Sequence, residues 1–292
     1  MLSGTMPFEK KFAAVAGRSI AYIDEGEGEP IVLLHGNPTS SFLWRNVIPL
    51  LLDSGRVIVP DLIGQGDSEK LPAREGAHRY SLETAYRYVE GLLTTIGADH
   101  KVTLVVHDWG SAIGFLWAMR HPSRTRGVAY MEAIVSPLAW SDWPASAVGM
   151  FQGFRSAKGE ELILTRNLFI EAVLPASIIR ELSEAEMTAY RAPHVQAEDR
   201  QPLLNWPRQI PIAGEPEEVV ALVEAYGAFM AGSDLPKLFI NAEPGSILVG
   251  RQREFCRRWP HQREVTVKGL HFIQEDSPVE IGQAIAEWLT TC

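Results

Sequence analysis

The chain is poor in the features that staple a protein, anchor it, or charge it toward particular partners. Among 292 residues there are only two cysteines, Cys256 and Cys292, too few for a disulfide framework and in keeping with a reducing compartment. No apolar run approaches the ~18 residues of a membrane span, and MLSGTMPFEKKF lacks the apolar core of a secretory signal. The expectation is a cytoplasmic protein with no membrane association. Positive charge is in deficit, 27 lysines and arginines against 36 aspartates and glutamates for a net −9, which argues against nucleic acid or an anionic lipid surface as partner. Also missing are G-x-G-x-x-G in a strand-turn-helix setting, G-x-x-x-x-G-K-[ST], H-E-x-x-H and paired-cysteine spacings. Their absence leads to the expectation of no cofactor and no metal.

The remaining composition is ordinary, 46% apolar and 22% charged, as in soluble globular proteins. A chain of this length buries roughly 75% of its unfolded surface and needs no covalent staple. At roughly 150 residues per domain it makes either two domains or one large α/β unit.

Hydrophobic patterning decides between these. RSIAYIDEG (18–26) alternates like an exposed hairpin strand, whereas IVLLHG (31–36), RVIVPD (56–61), KVTLVVHD (101–108), GVAYME (127–132), PKLFINA (236–242) and REVTVKG (263–269) read as strands. The first four of these six are continuous apolar runs, the mark of strands buried on both faces. Between them, 41–55, 81–97, 110–122, 216–230 and 279–289 carry helical spacing, the second running from Ser81 as N-cap to Gly97 as stop. From Ser136 to Gly214 seven prolines break short amphipathic pieces and no strand pattern survives. The expected organisation is one mostly parallel α/β domain (1–135 and 215–292) interrupted by a helical cap (136–214).

Asp108 ends the third apolar strand and precedes a helix, the strand-turn-helix setting that lifts a nucleophile above the carboxyl edge of a sheet. The serine of G-x-S-x-G is absent, since the five residues read Val106, His107, Asp108, Trp109, Gly110. An aspartate here could serve only as a helix cap. As a nucleophile it is ionised without help, attacks an sp3 carbon and leaves an ester that a second step must hydrolyse. That step needs a base and donors for an oxyanion. HGNPTSS follows another apolar strand and puts Asn37 in the loop that supplies such donors. The Asn37 amide and Trp109 indole are neutral donors, suited to an anion formed in the reaction, such as a departing halide. His271 follows the last strand, the place of the base in the order nucleophile, acid, histidine. The orienting acid is Glu132 or Glu243, both at strand ends on one edge; Glu275 and Asp276 are read as caps of the final helix.

HGNPTSSFLWRNVIP, DLIGQGDSEK, VVHDWGSAIGF, YMEAI, FQGFRS, PRQIPIAGEP, PKLFINAEPG and GLHFIQEDSP together resemble the haloalkane dehalogenases of the α/β-hydrolase superfamily, from about Phe12 to Trp288. The resemblance implies an eight-stranded, mostly parallel sheet with an inserted helical cap, and hydrolysis of a carbon–halogen bond to alcohol, halide and proton. It implies Asp108 as nucleophile, His271 as base and Glu132 as acid, as in the subfamily that places the acid after the sixth strand. Asn37 and Trp109 become the halide-binding pair, with their backbone N–H groups as oxyanion hole. Trp143, Phe151, Phe169, Val173, Pro207 and Leu248 fall at pocket positions. Ser177, Ile247 and Val249 depart from the family near the expected tunnel mouth, and His194 stands where phenylalanine is usual. The implied partners are a small apolar halogenated substrate and a halide ion, with the chain a monomer or weak homo-oligomer.

Three other readings share parts of this constellation. An epoxide hydrolase needs acid donors on the cap, usually two tyrosines, and Tyr190 is the only tyrosine between Ser136 and Gly214. A coelenterazine-type luciferase resembles the same set closely. A non-catalytic ligand-binding protein on this fold would lose the nucleophile or base, whereas all five positions are filled here.

Overall fold

The computed structural model describes residues 2–292. Its strands are β1 (Lys11–Val15), β2 (Arg18–Glu25), β3 (Pro30–Leu34), β4 (Arg56–Pro60), β5 (Val102–Asp108), β6 (Thr125–Ala133), β7 (Lys237–Pro244) and β8 (Gln262–Gly269), in one sheet ordered β1-β2-β4-β3-β5-β6-β7-β8. β1 and β2 form a hairpin across Ala16 and Gly17, whose φ of 49° and 77° suit the twist of a two-residue turn. β2 pairs antiparallel with β4, and every later pairing is parallel. β3 and β5 are buried along their whole length, as their unbroken apolar runs require.

Helices cover the sheet as the patterning anticipates. α1 (Leu82–Thr95) starts at Ser81, whose hydroxyl accepts from the Thr84 N–H. α2 (Trp109–Arg120) follows β5 without an intervening loop. Residues 41–55 differ from expectation: they form two short 3₁₀ turns, Ser41–Trp44 and Ile48–Leu50, rather than a helix. Pro49 has no N–H for a helical ladder and restricts the residue before it, so the apolar spacing serves turns instead.

Between β6 and β7 the chain leaves the sheet through α3 (Val148–Arg155), two π-helical turns (Glu160–Thr165 and Phe169–Val173), α4 (Leu174–Ala176), α5 (Glu184–Arg191) and α6 (Gln201–Gln209), and returns as α7 (Glu217–Gly232). Its departing and returning ends are laced together, Leu138 N donating to Pro211 O at 2.8 Å and Ala213 N to Leu138 O at 2.8 Å. The segment has its own aromatic centre in Phe151, Phe154 and Phe169. It is joined to the sheet unit where Trp206 packs on Trp109, ring centroids 4.7 Å apart. The last third adds α8 (Gly250–Cys256), α9 (Ile273–Asp276) and α10 (Pro278–Leu289), the last packed on β7 and β8. Cys256 and Cys292 are free, the former buried.

Candidate active site

Because β3, β5, β6 and β8 run parallel, their carboxyl ends share one edge, and Asn37, Asp108, Glu132 and His271 meet above it. Asp108 takes φ 48°, ψ −128°, a strained conformation worth about 1–3 kcal/mol that turns the chain sharply from strand to helix. Two glycines make room for the turn. A Cβ on Gly36 would lie 2.1 Å from Asp108 Oδ2, and one on Gly110 would lie 2.3 Å from the Leu34 carbonyl oxygen. The Ser111 hydroxyl steadies the elbow by donating to Asp108 O while accepting from Ile134 N at 2.9 Å.

Glu132 owes its position to an irregularity. His107 pairs with Met131 and Asp108 with Ala133, so Glu132 is the extra residue of a bulge, with φ 39°; bulges re-aim side chains. Its Oε2 lies 3.2 Å from His271 Nδ1 and accepts from the backbone N–H of Ser246 at 3.1 Å and of Ile247 at 2.9 Å. Glu243, the rival acid, is exposed at the end of β7.

His271 links the two carboxylates, its Nε2 lying 3.2 Å from Asp108 Oδ1. Burial disfavours its cation, but the hydrogen bonds and charges of Asp108 and Glu132 outweigh that and raise its pKa to about 9. Burial likewise works against the Asp108 anion, yet the bond and charge of His271 hold the carboxyl below its usual range. The loop is fixed from outside by Ser177 O, which accepts from His271 N at 3.1 Å and Phe272 N at 3.2 Å. Beneath it His107 hydrogen-bonds the His271 carbonyl at 2.8 Å, and burial lowers the His107 pKa to about 3.

The oxygens of Asp108 differ in role. Oδ2 accepts from the Asn37 backbone N–H at 3.0 Å, and the nearby Trp109 backbone N–H favours the carboxylate anion. Oδ1 is the oxygen near His271. The Asn37 side-chain carbonyl accepts from Gln65 Nε2 at 3.3 Å, and its buried Nδ2 has no hydrogen-bond partner in the protein.

Asn37, Asp108, Trp109 and His271 line a cavity of about 800 Å³ whose other walls are largely apolar. Trp143, Phe151, Phe169, Val173 and Pro207 line it; Leu248 does not. Leu248 is buried in a bend between Ile247 and Val249, which do line the cavity, and the turn of the chain there directs its side chain away from it. Ser177 is also in the wall, whereas His194 is buried in the helical segment and does not reach it.

Two further readings are corrected. Glu275 caps no helix: it is buried, bound by Arg45 Nη1 at 2.6 Å and Nη2 at 2.9 Å, by Arg180 and by the Tyr190 hydroxyl. Asp276 accepts from the backbone N–H groups of Ile179 and Arg180. Tyr190 is thus committed to Glu275 and absent from the cavity wall. Sequence reasoning missed Gln65, Ser111 and the Ser246 and Ile247 amides. These act through hydroxyl, amide or backbone groups whose partners lie far away in sequence, and no local pattern announces them.

An alpha/beta hydrolase fold family model matches residues 29–165. A haloalkane dehalogenase of Sphingobium indicum is 55% identical, covering 99% of this chain and 98% of its own. One of Mycolicibacterium smegmatis is 47% identical over 99% and 93%. The crystal structure of a haloalkane dehalogenase from Bradyrhizobium elkani superposes with a TM-score of 0.92 at 39% identity, covering 97% of this chain and 98% of that one. The chain belongs to the haloalkane dehalogenase family of α/β-hydrolases.

Proposed function

We propose that the chain hydrolyses haloalkanes to an alcohol, a halide and a proton through an ester on Asp108. The observation that carries this is the ionised Asp108 at the floor of a largely apolar cavity, one oxygen held by the Asn37 backbone N–H and the other beside a histidine. Residues 136–214 form the cap over residues 1–135 and 215–292, supported by the Leu138–Pro211 lacing. The exposed large apolar side chains sit on separate elements, which supports a monomer or weak homo-oligomer. Among the described residues no helix is long and apolar enough to cross a membrane, and the small acidic enzyme fits a cytoplasmic setting.

In the first step Asp108 Oδ1 forms a bond to the halogen-bearing carbon as the carbon–halogen bond breaks, with the electron pair leaving on the halide. The Asn37 Nδ2 and the Trp109 indole receive the halide as its charge develops. In the second step water adds to Cγ of the ester while His271 Nε2 takes its proton; Oδ2 becomes an oxyanion against the Asn37 and Trp109 N–H groups. Collapse breaks the Cγ–Oδ1 bond, the departing alkoxide takes the proton from the imidazolium to leave as the alcohol, and the new carboxyl releases its remaining proton to solvent, restoring the carboxylate. Glu132 holds the imidazole and offsets its positive charge. Epoxide opening would need an acid on the wall, and the one cap tyrosine is spent on Glu275.

The deciding experiment is bromide release from 1-bromobutane and its longer homologues. The expected result is release of one bromide and one alcohol per substrate with many turnovers; no bromide at any chain length would overturn the reading.

The raised pKa of His271 sets a pH dependence. At neutral pH the free enzyme carries an imidazolium between two carboxylates, its pKa about 9. Alkylation removes the charge of Asp108, so the proton is held less tightly and the base is released by the first step itself. Ester decay, followed by rapid quench and mass spectrometry, is therefore expected to slow as pH falls, approaching about tenfold per unit at the acid end. Alkylation needs only ionised Asp108 and is expected to vary by less than about threefold between pH ~6 and ~8. An acid limb on alkylation rather than on ester decay would contradict this order of events.

A further inference from the structure

Besides Asp108 and His271, Asp142 is the one charged side chain among the described residues that lines the cavity. It ends a short 3₁₀ turn, Trp140–Asp142, immediately before the cavity residue Trp143. Facing it is Arg251 in the first turn of α8, between the cavity residues Val249 and Gln252. Arg251 Nη2 donates to Asp142 Oδ2, its Nε lies 3.3 Å from Oδ1, and Nη2 also reaches Pro137 O at 3.1 Å. The Asp142 side chain is 14% exposed and that of Arg251 58%. One partner therefore touches the cavity and the other the solvent, and the pair spans the rim where the two meet.

On the dehalogenase reading, each turnover leaves an anion at the floor of this cavity, held by neutral donors. Leaving, it passes a carboxylate, and the charge it meets depends on Arg251. The guanidinium holds Asp142 below the usual carboxylate range against a smaller effect of burial, so at neutral pH the aspartate is ionised and compensated.

We propose that Asp142 and Arg251 form a charge-compensated gate that sets the affinity of the cavity for halide and its passage through the mouth, with Arg251 cancelling the repulsion of Asp142. The gate acts on the halide through space and touches none of the reacting atoms. A cation or anion uncovered at the rim acts through a partly dry interior, where charges interact more strongly than in water, and is weakened by salt.

The two partners then have opposite effects, which a purely mechanical strap does not. The measurement is the bromide inhibition constant for alcohol formation from a short iodoalkane, at low ionic strength with sulfate as the added salt. Arg251→Leu leaves Asp142 uncompensated, and bromide should inhibit about two- to fivefold more weakly. Asp142→Asn leaves Arg251 uncompensated, and bromide should inhibit about two- to fivefold more strongly. The double variant should return to within about twofold of the parent, and raising salt to ~0.5 M should shrink both single shifts. Arg251→Lys keeps the charge without the fork and should stay near the parent. Shifts in the same direction for both single variants, no shift in either, or a Lys variant as altered as the Leu variant would overturn the gate. A parent that releases no halide would overturn the dehalogenase reading instead, and the two failures are distinct. Should Arg251→Leu fail to fold, Arg251→Gln carries the same expectation.

Discussion

A variant with phenylalanine in place of His271 is expected to release one bromide per active site and then stop. Nothing in the first step needs the imidazole as a base, since the attacking group is a carboxylate whose Oδ2 stays held by the Asn37 N–H, although the variant loses the His271 bond and charge that lower the carboxyl pKa against burial. Loss of the imidazolium removes the nearest charge attracting the carboxylate, so the burst should survive, within about tenfold of the parent rate. Hydrolysis loses its base, which typically costs ~10² to 10⁴ in rate, and no neighbour replaces it. His107 stands closest, ring centroid 4.7 Å away, but it is turned to the His271 carbonyl and burial holds its pKa at about 3. A phenyl ring has the company it needs in Phe272, 4.7 Å from the His271 ring. Mass spectrometry of the stalled enzyme should find the alkyl group on a peptide containing Asp108. Sustained turnover by the variant, or alkylation elsewhere, would reassign the base or the nucleophile.

The parts of this site legible in the sequence are those for which one short segment carries both the element and its end. Asp108 and Trp109 could be placed because seven buried strand residues, Val102 to Asp108, run directly into a helix. His271 could be placed because it follows the last strand by two residues. The acid was not decidable on the same grounds. Glu132 and Glu243 end neighbouring strands, and what separates them is the bulge that pairs Asp108 with Ala133, together with the two amides that converge on Glu132. A bulge inserts one residue without disturbing the apolar pattern, so periodicity does not reveal it. The same limit explains residues 41–55, where apolar spacing was right for burial and wrong for helix, and Leu248, whose side depends on the local path of a loop. It applies most to charges. Asp142 and Arg251 are 109 residues apart and Arg45 and Glu275 are 230 apart, and a single acidic or basic residue in a sequence looks solvated until its partner is found.

Glu275→Gln is expected to destabilise the protein by about 3–5 kcal/mol, the usual consequence of removing one member of a buried ion pair. Arg45 and Glu275 have fully buried side chains. Every donor position of Arg45 is used: Nε on Ser3 O at 2.7 Å, Nη1 on Phe42 O and Glu275, Nη2 on Glu186 and Glu275. Its guanidinium also lies over the Phe42 ring, 4.0 Å from the centroid. Glutamine keeps the shape of Glu275 and one of its oxygens but puts an N–H₂ in place of the other, so either Arg45 Nη1 and Tyr190 or Arg45 Nη2 and Arg180 lose their acceptor, and two cations face Glu186 alone. At roughly 2–4 °C per kcal/mol for a chain of this class, Tm should fall by about 6–20 °C. The effect should reach the active site, because Glu275 lies four residues beyond His271 while Arg180, Glu186 and Tyr190 belong to the helical segment. The cluster therefore fastens that segment to the loop carrying His271. Arg45→Met combined with Glu275→Leu removes a charge of each sign and leaves Arg180 paired with Glu186 at 2.6 Å. That double variant is expected to be more stable than Glu275→Gln alone, since apolar groups of similar size replace a buried pair at little cost. Urea titrations of the parent, Arg45→Met, Glu275→Leu and the double variant give the coupling energy directly. A Glu275→Gln midpoint equal to that of the parent would show that the cluster contributes nothing to stability.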